Sequence, residues 1–422
     1  MDIRHAVAPD EIPLCDEDRA ILALECATVV GHTCKIIGLA PDGADVEAIR
    51  ARIAARLDSA PVLTRKLGGG PNEPCWVEDP DFDIARHVVV VPGQPVDAAG
   101  LRRVVGELFP QHLDRSHPLW RMDVVRLSDG GSALIWRLHH AMADGTTIMR
   151  WCRALLWDEI DEHPPATHAA RHAADEERRR AHLAGFVSRE FARSRHRSPF
   201  DGKIGTHREI GLATLPLSGL KRAAHALGGA TVNDALLSVV GGAVRRYIEM
   251  HHGSLSDIRV RVPVSLHHDS DAAANRDSFF SISLPLHIAD PVERLHVVRA
   301  ETALRKRAHD AEHEDALLHG LSKAVPLQRF VERLNDSPRR FAVSVSNVPG
   351  PKVPVTIDGV PVTLLAGLAE IGMRHGLRVA AVSLHDDLNL GLCSDPSLVP
   401  AVQSMADAAL IEAEALVLAV GD

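Results

Sequence analysis

Apolar residues recur along the chain with the two spacings that distinguish helices from strands. Apolar positions three to four residues apart predict helices over residues 45–57, 101–113, 232–248 and 291–307. Short apolar or alternating runs predict strands over residues 34–39, 87–91, 122–127, 133–138, 258–264, 282–288, 341–345, 360–364, 377–384 and 388–392. Both kinds of element alternate in each half of the chain, so the sequence predicts a mixed α/β fold.

The composition changes sharply between Asp158 and Arg208. This segment is rich in charge, histidine and alanine, and it has Pro164-Pro165 near its start and Ser198-Pro199 near its end. It predicts a charged linker that contains one helix, around residues 175–195. Taking ~150 residues as an ordinary domain length, we expect two domains in the 422 residues. The predicted units are residues 1–157, 158–208 and 209–422.

Charge and composition narrow the class of protein. Hydrophobic residues make up 45% of the chain and charged residues 24%, which is typical of a folded globular protein. The formal net charge of -9 makes a nucleic-acid partner unexpected, because an acidic chain cannot neutralise phosphates. Six cysteines without a C-x-x-C pair, and no N-terminal signal segment, predict reduced thiols and a cytoplasmic protein. No run approaches the roughly 18 apolar residues of a membrane span, so any membrane contact would be peripheral.

One segment, Ala133–Leu156, has the pattern of a catalytic turn. An apolar strand leads into His139-His140, a three-residue spacer, Asp144-Gly145 and the start of a helix. A general base for neutral pH needs a pKa near that value and a fixed position at the edge of a cavity. A histidine at the end of a buried strand meets both requirements. Asp144 can accept hydrogen bonds from the turn or cap the helix, and Gly145 can adopt a positive φ.

This segment has two other interpretations. A chain with 25 histidines has paired histidines by chance, and a short motif alone carries that risk. A metal site made of His139, His140 and Asp144 is disfavoured, because adjacent side chains on a strand point to opposite faces. We therefore expect no metal at this segment.

The sequence HHAMADG resembles the H-H-x-x-x-D-G motif of the CoA-dependent acyltransferase superfamily. Within that superfamily, the chain resembles the bacterial wax ester synthase/diacylglycerol acyltransferase family. The supporting matches are colinear: LDRSHPLWR at 113–121, FDGKIGTHRE at 200–209, TVNDALL at 231–237, VPVSL at 262–266, DPVERL at 290–295 and SNVPGP at 346–351. The chain departs from the family in VVGHTCKIIGLA at 29–40, which lacks the usual Met-His pair, at Ala274-Asn275, and in SLHDDLNLGLCSD at 383–395.

The resemblance implies an α/β (α+β) fold of two chloramphenicol-acetyltransferase-like domains, each a mixed sheet with flanking helices, around a shared channel. It implies that His140 is the general base that takes a proton from an acceptor hydroxyl, whose oxygen then attacks the thioester of acyl-CoA directly. Asp144 would be structural, Gly145 would permit a close backbone approach, and His139 would support the turn.

Other positions carry two interpretations each. The family places Asn233 near the reacting centre, whereas its position at the start of a helix is also typical of a cap. Pro118, Leu119 and Trp120 would shape the wall of the channel or form a packed corner of the core. Lys203 and Arg208 would contact the phosphates of CoA or be solvated surface charges.

The predicted activity is O-acyl transfer from acyl-CoA, with no cofactor, to a long-chain alcohol or diacylglycerol, which gives a wax ester or triacylglycerol. The departures from the family favour a second hypothesis, a specialised-metabolite acyltransferase or condensation-type enzyme with another alcohol or amine acceptor or a carrier-bound donor. A third hypothesis is a non-catalytic lipid-binding paralogue. The expected partners are acyl-CoA and a hydroxyl acceptor, in a cytoplasmic monomer or weak homodimer whose contact with the inner membrane or lipid inclusions would be peripheral.

Overall fold

The computed structural model describes residues 11–41, 45–70, 73–158, 198–253, 255–265, 277–307 and 341–420. These residues form two six-stranded sheets, a three-stranded sheet and covering helices. The strands are β1 Ile12–Pro13, β2 His32–Leu39, β3 Arg65–Gly70, β4 Glu73–Glu78, β5 Val88–Val90, β6 Trp120–Arg126, β7 Ser132–His139, β8 Glu209–Pro216, β9 Ile258–Ser265, β10 Asp277–Leu284, β11 Val343–Val348, β12 Thr356–Ile357, β13 Val360–Ala369, β14 Leu377–Leu384 and β15 Asp387–Ser394. The α-helices are α1 Asp16–Leu24, α2 Val46–Arg56, α3 Ile84–His87, α4 Ala98–Leu108, α5 Gly145–Trp151, α6 Leu217–Ala226, α7 Val232–His251, α8 Pro291–Arg307 and α9 Val402–Leu418.

The first six-stranded sheet has the order β12-β13-β2-β7-β6-β5. Its neighbouring strands are antiparallel except for β5 and β6, which are parallel. Every residue of the central strands β2 and β7 is buried, so the sheet needs an apolar layer on both faces. Ile37 and Trp136 pack on the face that α5 covers, and Ile36 and Ile135 pack on the face that α4 covers.

The second six-stranded sheet has the order β10-β9-β11-β14-β15-β8. Strand β11 is parallel to β9 and β14, and the other pairs are antiparallel. Helices α7 and α9 join this sheet in one large apolar cluster. In α7, Leu236, Val240 and Val244 form the apolar face that the sequence predicts, and the buried face of α9 is rich in alanine. Both sheets are therefore mixed and flanked by helices.

Strand β13 connects the two halves of the molecule. It comes late in the chain, yet it pairs with β2 of the first sheet from Val362↔Leu39 to Ala369↔Thr33. The predicted unit 209–422 is thus not confined to one sheet, because its strands β12 and β13 complete the first. The boundaries at residues 157 and 208 stay predictions, and the predicted linker helix over 175–195 lies outside the described residues.

Several predicted elements differ from the structure at their ends. The strand predicted over 87–91 is β5, which begins after His87 ends α3, and the strand predicted over 341–345 is β11, which continues to Val348. The predicted strand over 282–288 is wrong at its end: β10 stops at Leu284, because Pro285 has no N–H for the ladder. The helix predicted over 101–113 is α4, which starts earlier because the Asp97 carboxylate accepts a hydrogen bond from the Gly100 N–H at 2.7 Å, and the predicted end is wrong because α4 stops at Leu108. Strand β13 continues to Ala369, beyond the predicted 360–364.

Several elements of the structure were not predicted from the sequence. Helix α9 has apolar residues on every side, so no single face marks it in the sequence. The hairpin of β3 and β4 contains three consecutive glycines and little alternation. Within the described part of the chain, we find no helix that is both long and apolar enough to cross a membrane.

Candidate active site

The turn between β7 and α5 is held by backbone hydrogen bonds on both sides. The N–H of His139 donates to the carbonyl of Leu119 at 2.9 Å, and the N–H of His140 donates to the carbonyl of Gly31 at 2.8 Å. Within the turn, the N–H of Met142 donates to the carbonyl of His139 at 2.9 Å. Because two neighbouring segments and the turn itself fix this backbone, the side chain of His140 starts from a defined position.

Asp144 caps helix α5 from a fully buried position. Its Oδ1 accepts a hydrogen bond from the N–H of Thr147 at 2.6 Å, and the residue is 0% exposed. A carboxylate that satisfies an N-terminal N–H is the usual start of a helix. The cap therefore ends the turn and sets the direction of the helix that follows His140.

Gly145 permits the second sheet to approach this turn. A Cβ at Gly145 would lie 2.9 Å from Cγ2 of Val348, the last residue of β11. The predicted positive φ is wrong for this glycine, which is the first residue of α5 and is absent from the positive-φ residues. The glycine is needed because a side chain from the other half of the molecule lies against it.

The side chain of His139 lies on the opposite side of the strand from the apolar face beneath α5. Its ring is fully buried against His32, with ring centroids 6.1 Å apart. Its Nδ1 accepts a hydrogen bond from the N–H of Ala141 at 3.2 Å, and its Nε2 lies 3.3 Å from Oε2 of Glu25. His139 thus stabilises the turn from the face of β7 that lies opposite α5. Among the described residues, no group of three or more histidine, cysteine, aspartate or glutamate side chains could hold a metal.

His140 is half-buried, and its surroundings keep it unprotonated. Burial and the positive charge of Arg378 together lower the pKa of its imidazole to about 4, although the Asp144 carboxylate opposes both. The interaction with its own backbone also raises the pKa. At neutral pH the ring is therefore neutral, which is the state that a general base requires.

Arg378 is a charged residue of this site that the sequence analysis missed. It is the second residue of β14, and its Nη1 donates to the backbone carbonyl of Glu370 at 3.0 Å. Further along the same strand, Val382 and Leu384 pack in the apolar cluster of the first sheet. The signal in the sequence is a single arginine in the apolar strand LRVAAVSL.

Lys35 is a second missed residue. It lies in the buried strand β2, where it pairs with Trp136 of β7 and Gly367 of β13, and it is only 3% exposed. Burial lowers the pKa of its ammonium group, and the negative charge of Asp144 opposes this shift. The two sheets therefore bring two cations, Lys35 and Arg378, to the surroundings of the turn.

The predicted segment Pro118, Leu119 and Trp120 forms a packed corner of the core. Trp120 is 2% exposed, its Nε1 donates to the carbonyl of Leu63 at 2.8 Å, and its ring stacks on His87 with centroids 4.4 Å apart. The carbonyl of Leu119 accepts the N–H of His139, so the segment holds the end of β7. Its predicted role in substrate binding stays a prediction.

Asn233 lies half-buried in the first turn of α7, which belongs to the layer of the second sheet. The cap of this helix is Thr231, whose hydroxyl accepts from the N–H of Asp234 at 3.2 Å, while the Asp234 carboxylate accepts from the N–H of Thr231 at 2.8 Å. The interpretation of Asn233 as the cap is therefore wrong, and its predicted role toward substrate stays a prediction.

Of the two basic residues considered for CoA, Lys203 is exposed and Arg208 is buried. The Nε of Arg208 lies 3.0 Å from Oε1 of Glu370, and the residue is 6% exposed. Neither a phosphate contact nor a solvated surface charge describes Arg208, because its guanidinium is fixed by an internal carboxylate. Glu370 also accepts the N–H of Val30 at 3.2 Å. The ion pair of Arg208 and Glu370 therefore supports the segment next to Gly31, whose carbonyl accepts the N–H of His140.

The fold is that of two-domain acyltransferases of the chloramphenicol-acetyltransferase type. A wax ester synthase/diacylglycerol acyltransferase from Marinobacter aquaeolei VT8 superposes with a TM-score of 0.73 at 22% identity, covering 97% of this chain and 100% of that one. The starter condensation domain of rhizomide synthetase superposes with a TM-score of 0.65 at 12% identity, covering 98% and 95%. At these identities the likeness establishes the fold alone.

Sequence comparison identifies the family within that fold. Residues 14–189 match the wax ester synthase/diacylglycerol acyltransferase catalytic domain, and residues 273–416 match the C-terminal domain of the same family. A protein of Mycobacterium tuberculosis strain H37Rv, named as a probable diacylglycerol O-acyltransferase, is 28% identical over 88% of this chain and 87% of its own length. The chain belongs to the wax ester synthase/diacylglycerol acyltransferase family, a family of O-acyltransferases.

Proposed function

We propose that this protein transfers a fatty acyl group from acyl-CoA to the hydroxyl of a long-chain alcohol or diacylglycerol. The products are a wax ester or triacylglycerol and free CoA. The observation that carries the proposal is the neutral, half-buried His140, fixed at the end of β7 and facing the charge of Arg378 from the second sheet. The acceptor class follows from the names of the relatives.

The reaction requires one base and no covalent intermediate. Nε2 of His140 takes the proton of the acceptor hydroxyl as the oxygen attacks the thioester carbonyl. The tetrahedral intermediate then collapses, the C–S bond breaks, and the proton passes from His140 to the sulfur of CoA. Since His140 both receives and returns the proton, we propose that the reaction needs no metal and no resident cofactor.

The residues around His140 keep it in the reactive state. Burial and Arg378 hold the imidazole neutral, so it accepts a proton only when the attacking oxygen donates one. Asp144 and Gly145 fix the turn where α5 begins. His139 contacts the turn from the opposite face of β7. We propose that none of these three contacts the substrate.

We further propose a peripheral contact with a membrane or lipid inclusion, since both acceptors are apolar. The second sheet's helices carry exposed large apolar side chains, at Met250, Val297, Leu304, Ile411 and Leu418. Flotation of the full chain with phospholipid vesicles tests this contact, and the fraction recovered with vesicles should fall when Leu418 is changed to Glu. Light scattering after size-exclusion chromatography would show whether the protein is the predicted monomer or weak homodimer.

The first experiment is the release of free CoA thiol from palmitoyl-CoA. The acceptor panel contains hexadecanol, dioleoylglycerol, a short alcohol and an amine, and His140→Ala is compared with the unaltered chain. His287→Ala is the matched control, since this histidine lies in the second domain with a largely exposed side chain. A signal with hexadecanol or dioleoylglycerol that requires His140 would support the proposal.

Thiol release only with the short alcohol or the amine would support the second hypothesis, a specialised-metabolite acyltransferase or condensation-type enzyme. Absence of a signal with every acceptor would contradict the use of acyl-CoA and favour a carrier-bound donor or a binding role.

A further inference from the structure

A carboxylate that no motif contains lies behind the catalytic turn. Glu25 follows helix α1, and only 12% of its side chain is exposed. Its Oε1 accepts from Nδ1 of His112 at 2.7 Å, and its Oε2 accepts from Nη2 of Arg115 at 2.5 Å. The same Oε2 lies 3.3 Å from Nε2 of His139. Two hydrogen-bond donors, His112 and Arg115, and the nearby ring of His139 thus converge on one carboxylate.

The surroundings of this carboxylate favour its ionised form. Burial raises the pKa of Glu25, but its interactions with His139, Arg115 and His112 outweigh burial and hold the pKa well below its ordinary range. At neutral pH a negative charge therefore lies beside the buried ring of His139.

The hydrogen bonds of His139 define its tautomer. Nδ1 accepts the N–H of Ala141 at 3.2 Å, and a ring nitrogen that accepts carries no proton. In the neutral ring the proton is then on Nε2, which faces Oε2 of Glu25. If the tautomer were reversed, two N–H groups would meet at Ala141 and the Glu25 carboxylate would lose a donor.

The ring of His139 contacts both backbone segments that hold His140. On one side it receives the Ala141 N–H of the turn itself. On the other side Gly31 lies against the ring, where a Cβ would be 2.8 Å from Nε2, and the φ of Gly31 is 66°. The carbonyl of Gly31 accepts the N–H of His140 at 2.8 Å. A rotation of the ring would therefore disturb both segments at once.

We propose that Glu25 is a positioning residue for acyl transfer, which fixes the tautomer and orientation of His139 and thereby the position of His140. The inference rests on the proposed function for its kinetic consequence. Glu25 does not touch the substrate; it acts through a neighbouring histidine, as the outer partners of catalytic histidines do in other enzymes.

The kinetic test compares Glu25→Gln and Glu25→Asp with the unaltered chain. Glutamine retains the shape but loses the charge, so the turn is less well fixed; a displacement of about 1 Å at a reacting group can cost ~100-fold in rate, and we expect kcat to fall ~10- to 100-fold. The KM for palmitoyl-CoA should change by less than about twofold, because no substrate contact is lost. Aspartate keeps the charge and should recover part of kcat.

The matched control is Glu47→Gln, which removes a carboxylate that pairs with Arg50 at 2.6 Å on the surface of the same domain. Its kcat should equal that of the unaltered chain. The proposal would be overturned if Glu25→Gln had the kcat of the unaltered chain. It would also be overturned if Glu25→Gln and Glu47→Gln changed kcat and KM to the same degree.

A second measurement does not depend on activity. In full-length protein with ¹⁵N-labelled histidine, the signals of His139 are assigned by their loss in His139→Gln, and their chemical shifts identify the protonated nitrogen. We expect the Nε2–H tautomer in the unaltered chain and a mixture of tautomers in Glu25→Ala. The Nδ1–H tautomer in the unaltered chain would refute the inference. Because this readout needs no turnover, failure of the proposed function is distinguishable from failure of the inference.

Discussion

The two six-stranded sheets bury charge in different places. In the first sheet, charged and polar side chains lie in the central strands themselves, where Lys35, Arg137 and His139 are each at most 3% exposed. In the second sheet, the buried ion pair joins two helices, Arg294 of α8 and Glu412 of α9. The first arrangement places charge in the strands that lead to the turn of His140, and the second supports the packing of helices. Buried charge therefore lies within the strands of one half and between the helices of the other.

Removal of the base should have the largest effect and should be confined to activity. His140→Ala deletes the group that accepts the proton, and positioned general bases contribute ~10²- to 10⁴-fold in rate. We expect kcat for thiol release to fall by ~10³-fold. Urea unfolding should be nearly unchanged, because the side chain is half-buried at the edge of the core. If His140→Ala lost as much unfolding free energy as a variant in the core, the expected difference between the two halves would be contradicted.

The opposite result is expected in the second half of the molecule. Arg294→Met leaves the Glu412 carboxylate, 4% exposed, without the partner on α8, although Arg246 still pairs with it at 2.5 Å. Breaking a buried pair costs about 3 kcal/mol of unfolding free energy. Urea denaturation measures this loss, and the kcat of the remaining folded protein should be unaltered. A large fall in kcat would show that this ion pair also serves the site.

A methyl group at Gly145 tests the contact between the halves. Gly145→Ala places a Cβ 2.9 Å from Cγ2 of Val348, so β11 or the turn must shift. Overpacking of this kind costs about 1–2 kcal/mol, and kcat should fall because the turn carries His140. Val348→Ala removes the obstructing methyl groups, so the double variant should recover kcat. Without that recovery, the glycine is needed for a reason other than the close approach.

The smallest expected effect is a shift in pH dependence. The proposed mechanism needs neutral His140, so kcat/KM should fall as the pH drops through the pKa of this residue. Arg378 lowers that pKa, whereas the surrounding Asp144 raises it and His139 lowers it. In Arg378→Gln the pKa should rise from about 4 toward 6.5, so the acidic limb of the profile should move to higher pH. An unmoved limb would show that Arg378 does not act on the base.

Elements with one apolar face were predictable from the sequence. The periodicity of α7 and the alternation of β9 are local properties, and the structure places both elements close to their predicted bounds. Where apolar residues surround a helix, as in α9, no such signal exists. The end of β10 at Pro285 was available in the sequence, but the continuing alternation through Leu286 and Ile288 masked it.

The residues of the candidate site divide in the same way, into those that the sequence identifies and those that only the structure identifies. The residues of the turn from His139 to Gly145 are adjacent in the chain, so one motif identifies them. Glu25, Lys35 and Arg378 each come from a different element and carry no motif, so only their position in the fold connects them with the turn.

The sequence by itself determined the alternation of helices and strands, the position of the turn and the family that the motifs indicate. These follow from residue spacing, which acts over a few positions of the chain. Only the tertiary structure decided that β13 completes the first sheet, that Val348 lies against Gly145, and that Glu25 faces His139. Such contacts join distant segments, and they form because the packing of two buried sheets leaves few arrangements that satisfy every strand edge and buried charge.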